Sequence, residues 1–300
     1  MTDIKRRATD KINDALGMGR IPWRNPVRVD NHCGMPLNIE TKGLYRGVNT
    51  LLLWDAVQRH SFASRWFGTE DDWARNDATL TDEARGIPVV NYNDWTDSIV
   101  YNLDQVVGCD GYRPVNLDIV TKDSADFTDV ERLIRSTGAN IIVGIGDRGH
   151  PSTWNGYVAP NPWLSFPNHT KGDYILMGKP ANFASMASYN FTILHELVHW
   201  AEVRTNWVSA MNKREMVAEI ASAWLAQETD CPMCPCMINH RKYELQWRGQ
   251  MMQDDDFLFE ITTQAWHVVD CVMSSLEDRS RTIYHDPDTV ELPPPNFARA

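Results

Sequence analysis

No run of about 18 apolar residues occurs anywhere in the 300-residue chain, so no helix long and apolar enough to cross a membrane is expected. The opening Met1-Thr2-Asp3-Ile4-Lys5-Arg6-Arg7 leads into polar sequence without the apolar core of a signal peptide, and a cytoplasmic protein is expected. The six Cys are not spaced as a secreted disulfide framework, and a chain of this length does not need one. Excess positive charge is lacking too. A net charge of −11 argues against a protein that coats nucleic acid over its whole surface. No internal repeat is visible.

What is present is 43% hydrophobic content, enough for one large domain or two of ordinary size. Charge is unevenly spread. Residues 1–65 carry 11 Lys and Arg against 6 Asp and Glu, whereas residues 66–120 carry 3 against 11. That segregation permits one basic face on an acidic protein. Twelve Trp is a high number, and Trp serves both cores and the stacking of unpaired bases.

Helical spacing of Ile4, Ala8, Ile12, Ala15 and Leu16 predicts a helix over 3–16, stopped by Gly17 and Gly19. A second helix is expected over 50–60, and short strands at 87–92 and 99–103 flank a turn at Asn93-Asp94. The pattern changes near residues 115–125. Beyond lie a helix over 126–137, a buried strand over 140–144, a Gly, Pro and Asn-rich loop over 146–171 and a strand over 173–177. Helices over 182–204, 211–228, 239–252 and 255–277 complete the ordered chain. Residues 279–300, ending near Leu292-Pro293-Pro294-Pro295, read as a disordered tail.

The chemistry lies in His195-Glu196-Leu197-Val198-His199. On a helix, His195 and His199 sit one turn apart on one face and can reach one zinc. Glu196 beside them is placed to act as general base toward a water. Catalytic zinc takes a third protein ligand. The long HExxHxxGxxH pattern needs Gly at 202 and His at 205, where the chain has Glu202 and Thr205. A following helix offers Glu215 and Glu219, four apart beside Met216, Val217, Ile220 and Trp224. Glu215 is assigned to the metal and Glu219 to the far nitrogen of a ligand His. The competing reading is an ordinary solvated face, and Glu202 is a further carboxylate near the site. Manganese or another divalent ion also suits two His and a carboxylate. A separate candidate is Cys231, Cys234 and Cys236 with His240, either a structural zinc site or a Cys-bearing interhelical loop.

These residues resemble the ArdC antirestriction proteins of plasmids and phages. The likeness runs through Pro22-Trp23-Arg24-Asn25-Pro26, Pro36-Leu37-Asn38, Tyr45-Arg46-Gly47-Val48-Asn49 and Val100-Tyr101-Asn102-Leu103-Asp104-Gln105. It continues through Asp173-Tyr174-Ile175, the His195 to Trp200 segment, Glu215 to Ile220, and His240 with Tyr243 and Trp247. The resemblance implies an α+β protein of two domains. An N-terminal single-stranded-DNA-binding domain over 1–120 would precede a zincin-like HExxH metallopeptidase domain over 121–278. It further implies single-stranded DNA and a peptide or protein as partners, and protection of incoming DNA from restriction in a bacterial host cell. The family's basic turn is replaced here by Glu70-Asp71-Asp72 and Thr81-Asp82-Glu83-Ala84-Arg85, which predicts fewer phosphate contacts.

Candidates for DNA contact are Trp23, Arg24, Arg28, Tyr45, Arg46 and Asn49, since aromatic and Arg side chains stack on bases while cations meet phosphates. The competing reading buries Tyr45 and Trp54 in a core and pairs Arg46 locally. A different class of function is a DNA-binding protein whose metal site is structural and performs no proteolysis.

Overall fold

A computed structural model describes residues 2–24, 34–112, 127–144, 156–158, 173–231, 241–276 and 283–285. The chain opens with helix α1 (Thr2–Gly17) and a 3-10 turn at Pro22–Arg24. Strand β1 (Leu37–Asn38), helix α2 (Val48–His60), strand β2 (Trp66–Gly68), helix α3 (Glu70–Arg75) and strand β3 (Thr79–Leu80) follow. Strands β4 (Ile87–Asn91), β5 (Thr96–Asn102) and β6 (Val106–Val107) complete the first half. One sheet runs β1-β2-β5-β4, with β1 and β2 parallel and the other pairs antiparallel, while β3 and β6 form a separate ribbon.

The second half contains α4 (Thr128–Ser136), β7 (Asn140–Val143), β8 (Gly156–Val158), β9 (Tyr174–Met177) and α5 (Met186–Glu202). Then come α6 (Met211–Glu228), α7 (Arg241–Gln253), α8 (Phe257–Ser274) and β10 (Ile283–His285). Its sheet has the order β10-β7-β9-β8, parallel except for β8 against β9. Within the expected disordered tail, Ile283–His285 instead form β10, and the rest of 279–300 lies outside the described residues. The residues of β10 pair in parallel with β7, and Ile283 and Tyr284 have the β-branched and aromatic character that suits a strand. The expected domain boundary near residue 120 lies outside the described residues.

Helix α2 carries apolar residues on every side, and that property explains its place. Leu53, Ala56 and Val57 pack with Phe67, Ile87, Val89 and Val100 of the first sheet. Val48, Leu51, Leu52 and Trp54 join a larger core built from α1, α5, α6 and α8. The two halves therefore share one hydrophobic core. Arg6 Nη1 donates to the carbonyls of Met251 and Met252 at 3.2 Å each, meeting the orphan acceptors at the end of α7. Arg248 Nε donates to Asn13 Oδ1 at 3.2 Å, a second polar tie between α1 and α7.

The site helix α5 starts later than its apolar pattern suggests. Ser185 is extended at φ −163°, and its side chain accepts from the Ser188 amide at 3.1 Å, so the helix begins at 186 instead of 182. Its buried surface wraps round the helix, as expected of one enclosed by a sheet and two helices. Arg204 anchors the far end, gripping Asp173 before β9 through two hydrogen bonds of 2.7 and 3.1 Å while lying over the Trp200 ring.

Candidate metal centre

His195 and His199 lie one helical turn apart on the buried face of α5. The connection over 203–210 reverses the chain, and α6 packs along α5 so that Glu215 stands opposite them. Ligand atoms of His195, His199 and Glu215 all lie within 4.8 Å of one another, and His195 Nε2 is 3.7 Å from Glu215 Oε2. All three are buried. Two imidazoles and a carboxylate converging in this way fit a divalent cation, and both zinc and manganese accept such a donor set.

Behind each imidazole stands a carboxylate. His199 Nδ1 donates to Glu202 Oε2 at 3.0 Å, leaving Nε2 toward the convergence point. The same Glu202 oxygen accepts from Arg214 Nε at 3.0 Å, and Glu202 itself is 0% exposed. On the other side, Glu219 Oε1 lies 3.9 Å from His195 Nδ1, beyond hydrogen-bond length, and its Oε2 accepts from Arg24 Nε at 3.0 Å. Burial by itself would lower the His199 pKa. The Glu202 hydrogen bond and the charges of Glu202, Glu196 and Glu215 outweigh it and hold the value above that of an ordinary histidine. Glu196, the neighbour of His195, is buried in the same acidic surroundings.

The structure thus brings together the three residues read as metal ligands and sets Glu219 on the far side of His195. Sequence reasoning left Glu202 as a rival ligand, whereas it sits behind His199. The readable signal was its i,i+3 spacing from His199. The roles of Arg214 and Arg24 had no such signal. Cys231 is buried at the end of α6, and Cys234, Cys236 and His240 lie outside the described residues.

The residues expected to face DNA divide differently. Trp23 is 1% exposed and meets Trp247 edge-on with ring centroids 6.1 Å apart, so it is a core residue and not a stacking platform. Asn49 is buried as well. Its side chain donates to the Val90 carbonyl and accepts from the Val90 amide, both at 2.8 Å, which pins α2 to β4. Arg24 serves Glu219. Tyr45 is half-buried, its hydroxyl accepting from Asn38 Nδ2 at 3.0 Å, and burial pushes its pKa up to about 12. Arg46 is exposed and lies 4.6 Å over the Trp266 ring, while Arg28 lies outside the described residues. Much of the positive charge of residues 1–65 is matched internally: Lys5 by Asp256, Arg6 by Asp255, Arg7 by Asp97, and both Arg20 and Arg59 by Asp55. The basic face that the charge pattern permitted is therefore largely folded onto acidic partners. Sequence reasoning missed exposed Lys42, whose ammonium lies 4.4 Å over Tyr112 and 5.3 Å over Trp66.

Residues 167–264 match the family described as a zincin-like metallopeptidase, a stretch that includes all of α5 and α6. The fold and the convergent donors thus define a protein with a zincin-like domain. Residues 2–116 match the N-terminal domain of anti-restriction factor ArdC. The chain is accordingly ArdC-like, with an ArdC N-terminal domain ahead of the zincin-like one. The Mn(II)-bound crystal structure of antirestriction protein ArdC from plasmid R388 shares the fold at a TM-score of 0.69. It is 20% identical, over 92% of this chain and 98% of that one. The metal-free structure of the same protein gives a TM-score of 0.67, also at 20% identity and with the same coverage. An uncharacterized protein of Sinorhizobium fredii, y4eC, is 24% identical over 93% of this chain and 94% of its own. DNA primase TraC of Escherichia coli is 24% identical over 91% of this chain, which spans only 28% of TraC.

Proposed function

We propose that this protein is an antirestriction protein of a plasmid or phage, acting in the bacterial cytoplasm, that binds single-stranded DNA and carries a zinc-dependent peptidase centre. The observation that carries this reading is the convergence of buried His195, His199 and Glu215, with Glu202 behind one imidazole and Glu219 beside the other. A structural zinc is ordinarily enclosed by four protein ligands, whereas three ligands leave a position for substrate or water. A divalent cation held there supplies Lewis acidity, polarising a peptide carbonyl and strengthening water as a nucleophile at neutral pH. Glu196 takes the proton from the attacking water and passes it to the leaving amine. Glu202 orients the His199 imidazole and raises its basicity toward the cation, while the Glu219 carboxylate lies on the Nδ1 side of His195. Strand β8, at the edge of its sheet among the described residues, packs against α5. A peptide added to that edge would run alongside the site.

For DNA, support comes from the ArdC N-terminal domain and from one loop, where Lys42 and Arg46 both stand at the surface beside aromatic rings. The Glu196→Gln variant tests the chemical half. It keeps the metal while peptide hydrolysis falls by about 10²–10⁴-fold, the usual share of a general base. Protection of transferred DNA from restriction is measured in parallel. Full protection by a variant that hydrolyses nothing would assign the biological role to DNA binding, with the metal structural.

A further inference from the structure

Arg24 lies outside the zincin-like segment, in the part of the chain that matches the ArdC N-terminal domain, yet its guanidinium reaches α6. Glu219, which it meets, is 1% exposed, and a carboxylate so buried is costly unless a cation pairs with it. The 3-10 turn that presents Arg24 is held from two sides. Trp23 packs on Trp247 of α7, and Gln58 Nε2 of α2 donates to the carbonyls of Ile21 at 3.0 Å and Pro22 at 3.3 Å. Both imidazoles thus have an arginine-bound carboxylate on their Nδ1 side. For His199 the arginine is Arg214, local to the zincin-like domain; for His195 it is Arg24, supplied by the other domain.

We propose that Arg24 is a positioning residue for the metal centre. It fixes the Glu219 carboxylate on the Nδ1 side of His195, so that metal affinity depends on the N-terminal domain being docked. The proposal rests on the reading that His195, His199 and Glu215 hold the metal.

The test titrates Mn²⁺ into chelator-treated full-length protein by calorimetry and records the visible spectrum of the Co²⁺ form. Arg24→Gln is expected to weaken Mn²⁺ binding by about 10–100-fold and to shift the Co²⁺ bands, as loss of a group orienting a ligand does. Arg24→Lys recovers part of the affinity, because it restores the charge without the planar fork. Arg20→Gln removes the neighbouring Arg20–Asp55 pair, 3.1 Å in the same segment, and leaves affinity and spectrum unchanged. Adding Glu219→Gln to Arg24→Gln produces no further loss, since the two act as one unit. Wild-type affinity in Arg24→Gln, an equal loss in Arg20→Gln, or additive losses in the double variant would each overturn the proposal. Unchanged binding by His195→Ala would instead overturn the metal assignment beneath it.

Discussion

Glu202→Gln removes a charge while nearly preserving shape, at a carboxylate that hydrogen-bonds both the His199 imidazole and an arginine of the next helix. Its Oε2 accepts from His199 Nδ1 and Arg214 Nε, each at 3.0 Å, in a position closed to solvent. Hydrogen bonds to charged groups contribute about 1.5–3 kcal/mol each. Glutamine still offers an oxygen to one donor, and Arg214, 24% exposed, can recover some hydration. The expected loss of stability is therefore about 2–3 kcal/mol, and Glu202→Ala, which leaves both donors stranded, should approach about 3–5 kcal/mol. Metal binding should weaken by about tenfold in the Gln variant, at the lower end of effects from groups behind the ligands. Metal at about 100 times the wild-type Kd would then stabilise the variant by about 1.4 kcal/mol, against about 2.7 kcal/mol for the wild type. Urea unfolding with and without Mn²⁺ separates the two effects, and calorimetric titration gives the affinity directly. A Gln variant with wild-type stability and wild-type Mn²⁺ affinity would refute the view that Glu202 supports His199.

Two further variants examine the N-terminal half. Asn49→Ala strands the amide and carbonyl of Val90 in the core and should cost about 2–4 kcal/mol in chemical unfolding, without altering single-stranded-DNA affinity of the folded fraction. Arg46→Ala should weaken that affinity and flatten its salt dependence in an anisotropy titration. At the start of α3, burial tends to raise the Asp72 pKa, but hydrogen bonds from Thr69 and Asn38 and the charge of Arg75 hold it below the ordinary carboxylate range. A depressed folded pKa contributes stability present above the unfolded value of about 3.9 and lost as pH falls through the folded one. Asp72→Ala should therefore cost about 1 kcal/mol at pH 7, with the gap in melting temperature closing below about pH 4. A gap that widened in acid would reverse the sign and sink the argument.

The local part of this protein was written in its sequence. The i,i+4 spacing of His195 and His199 places them on one helix face whatever surrounds the helix, because helical geometry repeats every 3.6 residues. The apolar period of α1 is local in the same sense. The i,i+3 spacing of Glu202 from His199 is local in the same way and sets that carboxylate beside the imidazole. Only the tertiary structure set the distances from Glu215 and Glu219 to the two nitrogens of His195, since both carboxylates share one face of α6 and the packing of α5 on α6 places them. It also decided that Trp23 and Asn49 are buried, for an indole or an amide suits a core as well as a surface. The basic bias of residues 1–65 met its partners across the chain, Lys5 at Asp256 and Arg24 at Glu219, at separations no local pattern encodes. Ion pairs of that range depend on where the backbone returns, and the shared core of the two halves is what brings it back.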